Sequence, residues 1–171
     1  MLELIKPSIK LKDQIEKYKI DFLNSNEICA GSSELMSMDT VSSWLKYLKT
    51  LESKDTCPEG LVPCVQYCLL DTSTNELIGL ANIRLELNDY LYKYGGNIGY
   101  SISPSKRKQG YGTIQLKLVL NECKNLNINQ VLITCKEENI ASRKVIEKCG
   151  GVFQNAVGNN GKLIRRYMIK I

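Results

Sequence analysis

The chain has 171 residues, 43% of them hydrophobic and 24% charged, with a formal net charge of +5. That is chain enough for one domain with a sizeable core and no need of disulfide or metal staples. It contains no histidine, which excludes Ser-His-Asp and Cys-His hydrolases, His-ligated zinc enzymes and two-His iron sites, so a general base has to be Glu, Asp, Lys, Tyr or Cys.

Residues 2–5 read as a short strand. Leu11, Ile15, Tyr18 and Phe22 recur at helical spacing, as do Val41, Leu45, Leu48 and Leu51. Thr40 offers an N-cap to the second helix. Residues 53–63 hold two prolines and a glycine and read as loop. A strand over 63–71 leads through a polar turn into a long strand over 76–87. On that strand Ile78, Leu80, Asn82, Arg84 and Glu86 share one face. Residues 88–96 form a tyrosine-rich loop ending in Gly95-Gly96, and 97–103 read as a strand stopped by Pro104. A glycine-containing loop over 105–112 precedes a helix over 113–126. The apolar run 130–135 fits a strand buried on both faces. Asn139 opens a helix that Gly150-Gly151 closes. Strands over 152–157 and 163–171 flank a turn between Gly158 and Gly161. The expected architecture is mixed α/β: a mostly antiparallel central sheet flanked by helices, with a β-α-β unit behind, as one domain over 1–171.

The seven cysteines include no C-x-x-C pair and are odd in number; they read as reduced, buried thiols, and no metal is expected. The N-terminus has no basic-then-apolar signal pattern and no apolar run reaches membrane-spanning length, so a cytoplasmic protein without a membrane partner is expected. Basic residues are dispersed among acids and no nucleic-acid motif occurs, which leaves a nucleic-acid partner without support. A homodimer through exposed strand edges stays open.

The chemistry concentrates in residues 102–113, where Arg107, Gly110 and Gly112 stand between a strand and a helix. Gly110 and Gly112 permit positive φ and close backbone approach. The helix start offers free N–H groups and a positive dipole end, and Lys106, Arg107 and Lys108 add charge, which together suit a pyrophosphate. No Gly-Lys-Ser/Thr follows, so it is not a P-loop; nor is it a Rossmann fingerprint, whose first glycine is replaced by Arg107.

This segment resembles the acyl-CoA cradle of the GNAT superfamily of N-acetyltransferases. The order of elements fits along nearly the whole chain, and Asn139 and Ser142 at the start of the later helix match a second landmark. The Asn-Ile-Arg-x-Glu-Leu-Asn run at 82–88 and the Gly-Gly-x-Ile-Gly-Tyr run at 95–100 are similar to those of an uncharacterised bacterial branch. The resemblance implies direct transfer of an acetyl group from acetyl-CoA to a primary amine of a small-molecule or peptide acceptor. It implies two neighbouring parallel strands, 97–103 and 130–135, splayed to admit the pantetheine. Ile102 would then supply an oxyanion N–H. Gln109, Gly110, Tyr111, Gly112 and Thr113 would hold the pyrophosphate with Arg107 and Lys108, and Asn139 and Ser142 would flank the pantetheine arm.

Glu86 is the expected base by the same resemblance; its plainer reading is a surface partner for Arg84. The family's usual tyrosine acid falls at Ile146, leaving Tyr167 and Tyr100 as substitutes, each also readable as packing. Asn97 stands where several relatives of that branch have His, so a proton relay there is absent. Cys135 has no activating group and reads as a core thiol. The acceptor is expected between 24–55 and 88–94, with Glu27, Glu34 and Asp39 attracting a cationic amine and Trp44, Tyr90, Tyr92 and Tyr94 as wall candidates. The alternative is an acyl-CoA-binding sensor or interaction module with little catalysis.

Overall fold

The computed structural model describes residues 1–171. In chain order the elements are β1 (Leu2–Ile5), α1 (Lys12–Ser25), α2 (Val41–Leu51), β2 (Cys64–Asp71), β3 (Glu76–Arg84), β4 (Ile98–Ile102), α3 (Tyr111–Asn125), β5 (Gln130–Lys136), α4 (Ile140–Lys148), β6 (Val152–Asn159) and β7 (Lys162–Lys170). Thr40 caps α2 as its sequence suggests: its Oγ1 accepts from the Ser43 N–H at 3.1 Å.

The strands form a four-stranded sheet in the order β1-β2-β3-β4 and a three-stranded sheet in the order β5-β7-β6, antiparallel throughout. Two apolar layers hold them. Tyr18, Phe22, Trp44 and Leu48 of α1 and α2 pack on Leu80 and Cys68. Leu116 and Val119 of α3, Ile146 of α4, Ile133 and Tyr167 pack on Ala81 and Ile83 from the other side. Alternation along β3 from Leu80 to Ile83 thus sends Leu80 toward α1 and α2, and Ala81 and Ile83 toward α3.

The long strand stops at Arg84, three residues short of its expected end. Arg84 faces Cys64, the first residue of β2, and Pro63 before it has no N–H to continue the ladder. Leu85 donates to the Pro63 carbonyl at 2.8 Å, and the chain then turns away, taking Glu86 off the strand face.

β4 and β5, expected as a splayed parallel pair, form no ladder with each other. The sheets meet at one antiparallel bridge, Gly96 with Ile133. A Cβ on Gly96 would lie 2.4 Å from the Leu132 carbonyl oxygen, and its φ is +68°, so only glycine allows this crossing. Asn97 clips the junction: its Oδ1 accepts from the Leu132 N–H at 2.9 Å, and its Nδ2 donates to the Arg84 carbonyl at 3.3 Å. Beyond Asn97 the two strands share no ladder and the sheets part.

Candidate active site

The gap between the sheets is edged by β4. Ser103 N–H donates to the Ile78 carbonyl at 2.9 Å. Along an antiparallel strand the hydrogen-bonding edge alternates, so Ile102 and Tyr100 turn their N–H groups to the opposite edge, toward β5. The Tyr100 hydroxyl and Ser142 Oγ lie 2.9 Å apart, tying β4 to the first turn of α4. Burial pushes the Tyr100 pKa well up from the ordinary phenol value, so the hydroxyl keeps its proton. Asn139 caps α4, its Oδ1 accepting from the Ser142 N–H at 3.0 Å, which leaves its Nδ2 free.

The open end of the gap is the loop into α3, which begins at Tyr111, two residues earlier than expected. The backbone N–H groups from Arg107 through Gly112 make no hydrogen bond within the chain, whereas Thr113 N–H bonds the Gly110 carbonyl at 3.1 Å. Positive φ falls on Lys108 (+62°) and Gly110 (+85°). Gly112 is helical instead, and its need is space: an added Cβ would lie 3.2 Å from Val145 Cγ2 of α4. Of the basic residues only Lys108 is free. Lys106 pairs with Glu76 at 2.6 Å, and Arg107 pairs with Glu27 at 2.6 Å while lying over the Phe22 ring. A run of unpaired donors before a helix N-terminus is an anion cradle built from backbone rather than from side-chain charge.

On the α1–α2 side a cavity of about 520 Å³ is lined by Ser33, Glu34, Cys64, Asn82, Arg84 and Tyr90 among others. Its wall is the α1–α2 connection, seated on β4. Gly31 (φ +69°) packs so closely on Gly99 that a Cβ would come within 2.3 Å of the Gly99 carbonyl oxygen. Ser101 Oγ donates to the Ala30 carbonyl at 2.6 Å, and Gln66 Nε2 to the Gly31 carbonyl at 2.8 Å. Trp44 is fully buried beneath this wall, its Nε1 donating to the Ser32 and Ser33 carbonyls at 2.9 Å each. It is therefore core, not a pocket face, and Tyr92 and Tyr94 also lie outside the cavity lining.

One match decides the family. The GNAT acetyltransferase domain model covers residues 13–152. The chain belongs to the GNAT acetyltransferase family. GNAT acetyltransferases of known structure share its fold. Mycobacterium smegmatis RimJ, solved with CoA-disulfide, has a TM-score of 0.71 at 16% identity, over 99% of this chain and 81% of that one. RimL, a ribosomal L7/L12 α-N-protein acetyltransferase solved with coenzyme A, gives 0.68 at 16% identity, over 99% and 94%. A spermidine N-acetyltransferase SpeG chimera from Vibrio cholerae and hSSAT gives 0.66 at 19% identity, over 99% and 95%. No curated protein sequence matches.

Within this GNAT domain the expected catalytic side chains are dispersed. Glu86 is half-exposed, lies outside the cavity lining and pairs with Lys54 at 2.7 Å; the Arg84–Glu86 pair does not form. Glu34 is the one carboxylate among the cavity's lining residues. Tyr167 is fully buried against α4, donating to Glu147 at 3.1 Å and accepting from Arg165 Nε at 2.8 Å. Ile146 is wholly buried core. Burial pushes the Cys135 thiol up to about 11, which keeps it protonated and unreactive. Arg84 is the residue whose state the sequence did not reveal. Its Nη1 donates to the Gly95 and Gly96 carbonyls at 3.1 and 2.9 Å. Burial lowers its pKa, offset in part by Cys64 and Tyr90. No cluster of metal-ligating side chains occurs, and no helix is long and apolar enough to cross a membrane.

Proposed function

We propose that the protein is an acetyl-CoA-dependent N-acetyltransferase acting on a primary amine. The observation that carries this reading is the run of unpaired backbone N–H groups from Arg107 through Gly112, at the open end of the gap between β4 and β5. The CoA complexes among the similar structures support it, and the names of those proteins, which specify a ribosomal-protein α-amine and spermidine, support an amine acceptor.

Acetyl-CoA, when bound, supplies a thioester acetyl group. The amides of Gln109 through Gly112 and the Lys108 ammonium hold its pyrophosphate. Arg107 serves indirectly, fixing the loop through Glu27. Asn139 Nδ2 faces the pantetheine, and the Ile102 N–H, turned into the gap, donates to the carbonyl oxygen. Glu34 removes the amine proton, directly or through water, with Glu86 as the other carboxylate to test. Tyr100 holds its phenolic proton at the site the family's usual tyrosine would otherwise serve.

Titration of acetyl-CoA while following the melting temperature tests the proposal. Native-state binding at a hundredfold excess over Kd adds roughly 2.7 kcal/mol of stability. A shift that is lost in Gly112→Arg, followed by amine-dependent release of free CoA, is the expected result. A shift without CoA release would make the protein an acyl-CoA-binding module. No shift up to millimolar ligand would overturn the assignment.

A further inference from the structure

The cavity beside β4 contains an arginine without an acid and a buried oxygen without a donor. Arg84 makes no ion pair, whereas Arg107, Arg143 and Arg165 each pair with a glutamate. Its Nη1 is occupied by the Gly95 and Gly96 carbonyls. Nε and Nη2 have no partner and keep accessible surface, and the residue lines the cavity, so the side-on face of the guanidinium is available to a ligand there. That face matches a carboxylate in bidentate geometry.

Asn82 stands two residues earlier on the same face of β3 and is 7% exposed. Its Nδ2 donates to Ser33 Oγ at 3.3 Å, but its Oδ1 has no hydrogen-bond partner. That oxygen lies against Gly99, where an added Cβ would come within 2.9 Å of it. It is thus an unsatisfied acceptor beside the β4 segment where the sheets part. Closed off by the Gly99 backbone, it is a polar atom of the cavity wall rather than a ligand contact.

We infer that the acceptor substrate is a free amino acid or close analogue, an amine with a carboxylate a few bonds away, whose carboxylate binds Arg84 and whose amine lies in the same cavity on the side of Glu34. The inference rests on the acetyltransferase reading for the amine's fate. The cavity volume suits a small metabolite. A polyamine would bring a second cation to Arg84, and a protein N-terminus would bring a peptide carbonyl where the pocket offers a carboxylate site.

Two measurements separate this inference from the reading beneath it. The first is calorimetric binding, in the presence of CoA, of alanine, methionine, phenylalanine, glutamate and lysine, each beside its primary amide. The second is CoA release from acetyl-CoA with the same panel, spermidine and a serine-starting hexapeptide. The expected result is binding and turnover of at least one free amino acid, with KM at least about tenfold higher for its amide. Arg84→Lys keeps a cation but loses the fork; it raises KM for the acid more than KM for the amide. Because the acid–amide comparison uses the unaltered protein, a folding defect in this variant does not decide the outcome. Equal use of acid and amide, or preference for spermidine or the hexapeptide, overturns the inference while leaving the transferase standing. Carboxylate-dependent binding without CoA release supports the pocket and overturns the transferase. No binding and no use of any free amino acid overturns the inference.

Discussion

Tyr100 and Ser142 are joined hydroxyl to hydroxyl at 2.9 Å, one on the open edge of β4 and the other in the first turn of α4. The contact places a protonated phenol at the gap, one turn of α4 before the buried Ile146. Burial raises the Tyr100 pKa, so the proton is still present at about pH 10, where an ordinary phenol is half ionised. Tyr100→Phe should lower kcat roughly a hundredfold with little change in the Kd for acetyl-CoA. The wild-type rate should show no decline below about pH 10 attributable to this group. Unchanged turnover in Tyr100→Phe would assign the leaving-group proton to water.

Glu34 and Glu86 divide the question of the base. Glu34→Gln should cost roughly a hundredfold in kcat at neutral pH, since it removes the carboxylate of the acceptor cavity. Glu86→Gln should leave turnover near wild type and cost under about 1 kcal/mol of stability, as expected for an exposed pair with Lys54. Steady-state rates of both variants over pH 6 to 9 decide between them. The opposite pattern would return the role to Glu86.

Trp44 is the chain's single tryptophan, and its indole N–H holds the Ser32 and Ser33 carbonyls. Trp44→Phe leaves those carbonyls without their donor and should cost about 1–3 kcal/mol in urea unfolding. It should also raise KM for the acceptor more than KM for acetyl-CoA, because the loosened segment forms the acceptor wall and not the cradle. An equal rise in both would mean that the effect spreads through the whole fold.

Asp71 tests the first strand. The Ser73 hydroxyl, the N-terminal ammonium and the Ser73 amide hold its carboxylate down to about 2, below the ordinary value. A pKa depressed by folding adds stability above the unfolded value of about 3.9, and that stability is lost as pH falls through the folded value. Asp71→Asn should therefore melt at a lower temperature than wild type at pH 7. The gap should close as pH is taken from about 4 toward 2. A gap independent of pH would show that the carboxylate charge contributes nothing.

The parts of this protein legible in sequence are those decided within a few residues. The α1 and α2 periodicity, the Thr40 and Asn139 caps and the glycine turn before α3 depend on local sterics and i-to-i+3 hydrogen bonds. The glycine loop before α3 lies where its spacing puts it, but its charges are not all available. The sequence shows Arg107 as a charge near a phosphate site, while Glu27, eighty positions earlier, takes that charge. Strand length failed for a similar reason. Residues 85–87 continue the pattern of β3, yet Pro63 on the neighbouring strand ends the ladder.

The sequence by itself determined the element order, the glycine loop before α3 and the absence of any histidine-based chemistry. The tertiary structure alone decided which charges are spent and which are free. Glu86 is taken by Lys54, Trp44 is taken by the core, Tyr100 is carried to Ser142, and Arg84 lines the cavity without an ion-pair partner. The physical reason is that backbone preferences act between near neighbours, whereas a side chain's partner is fixed by packing between segments far apart in the chain. Arg84 could be seen in the sequence, but the missing carboxylate could be seen only once the rest of the protein had folded around it.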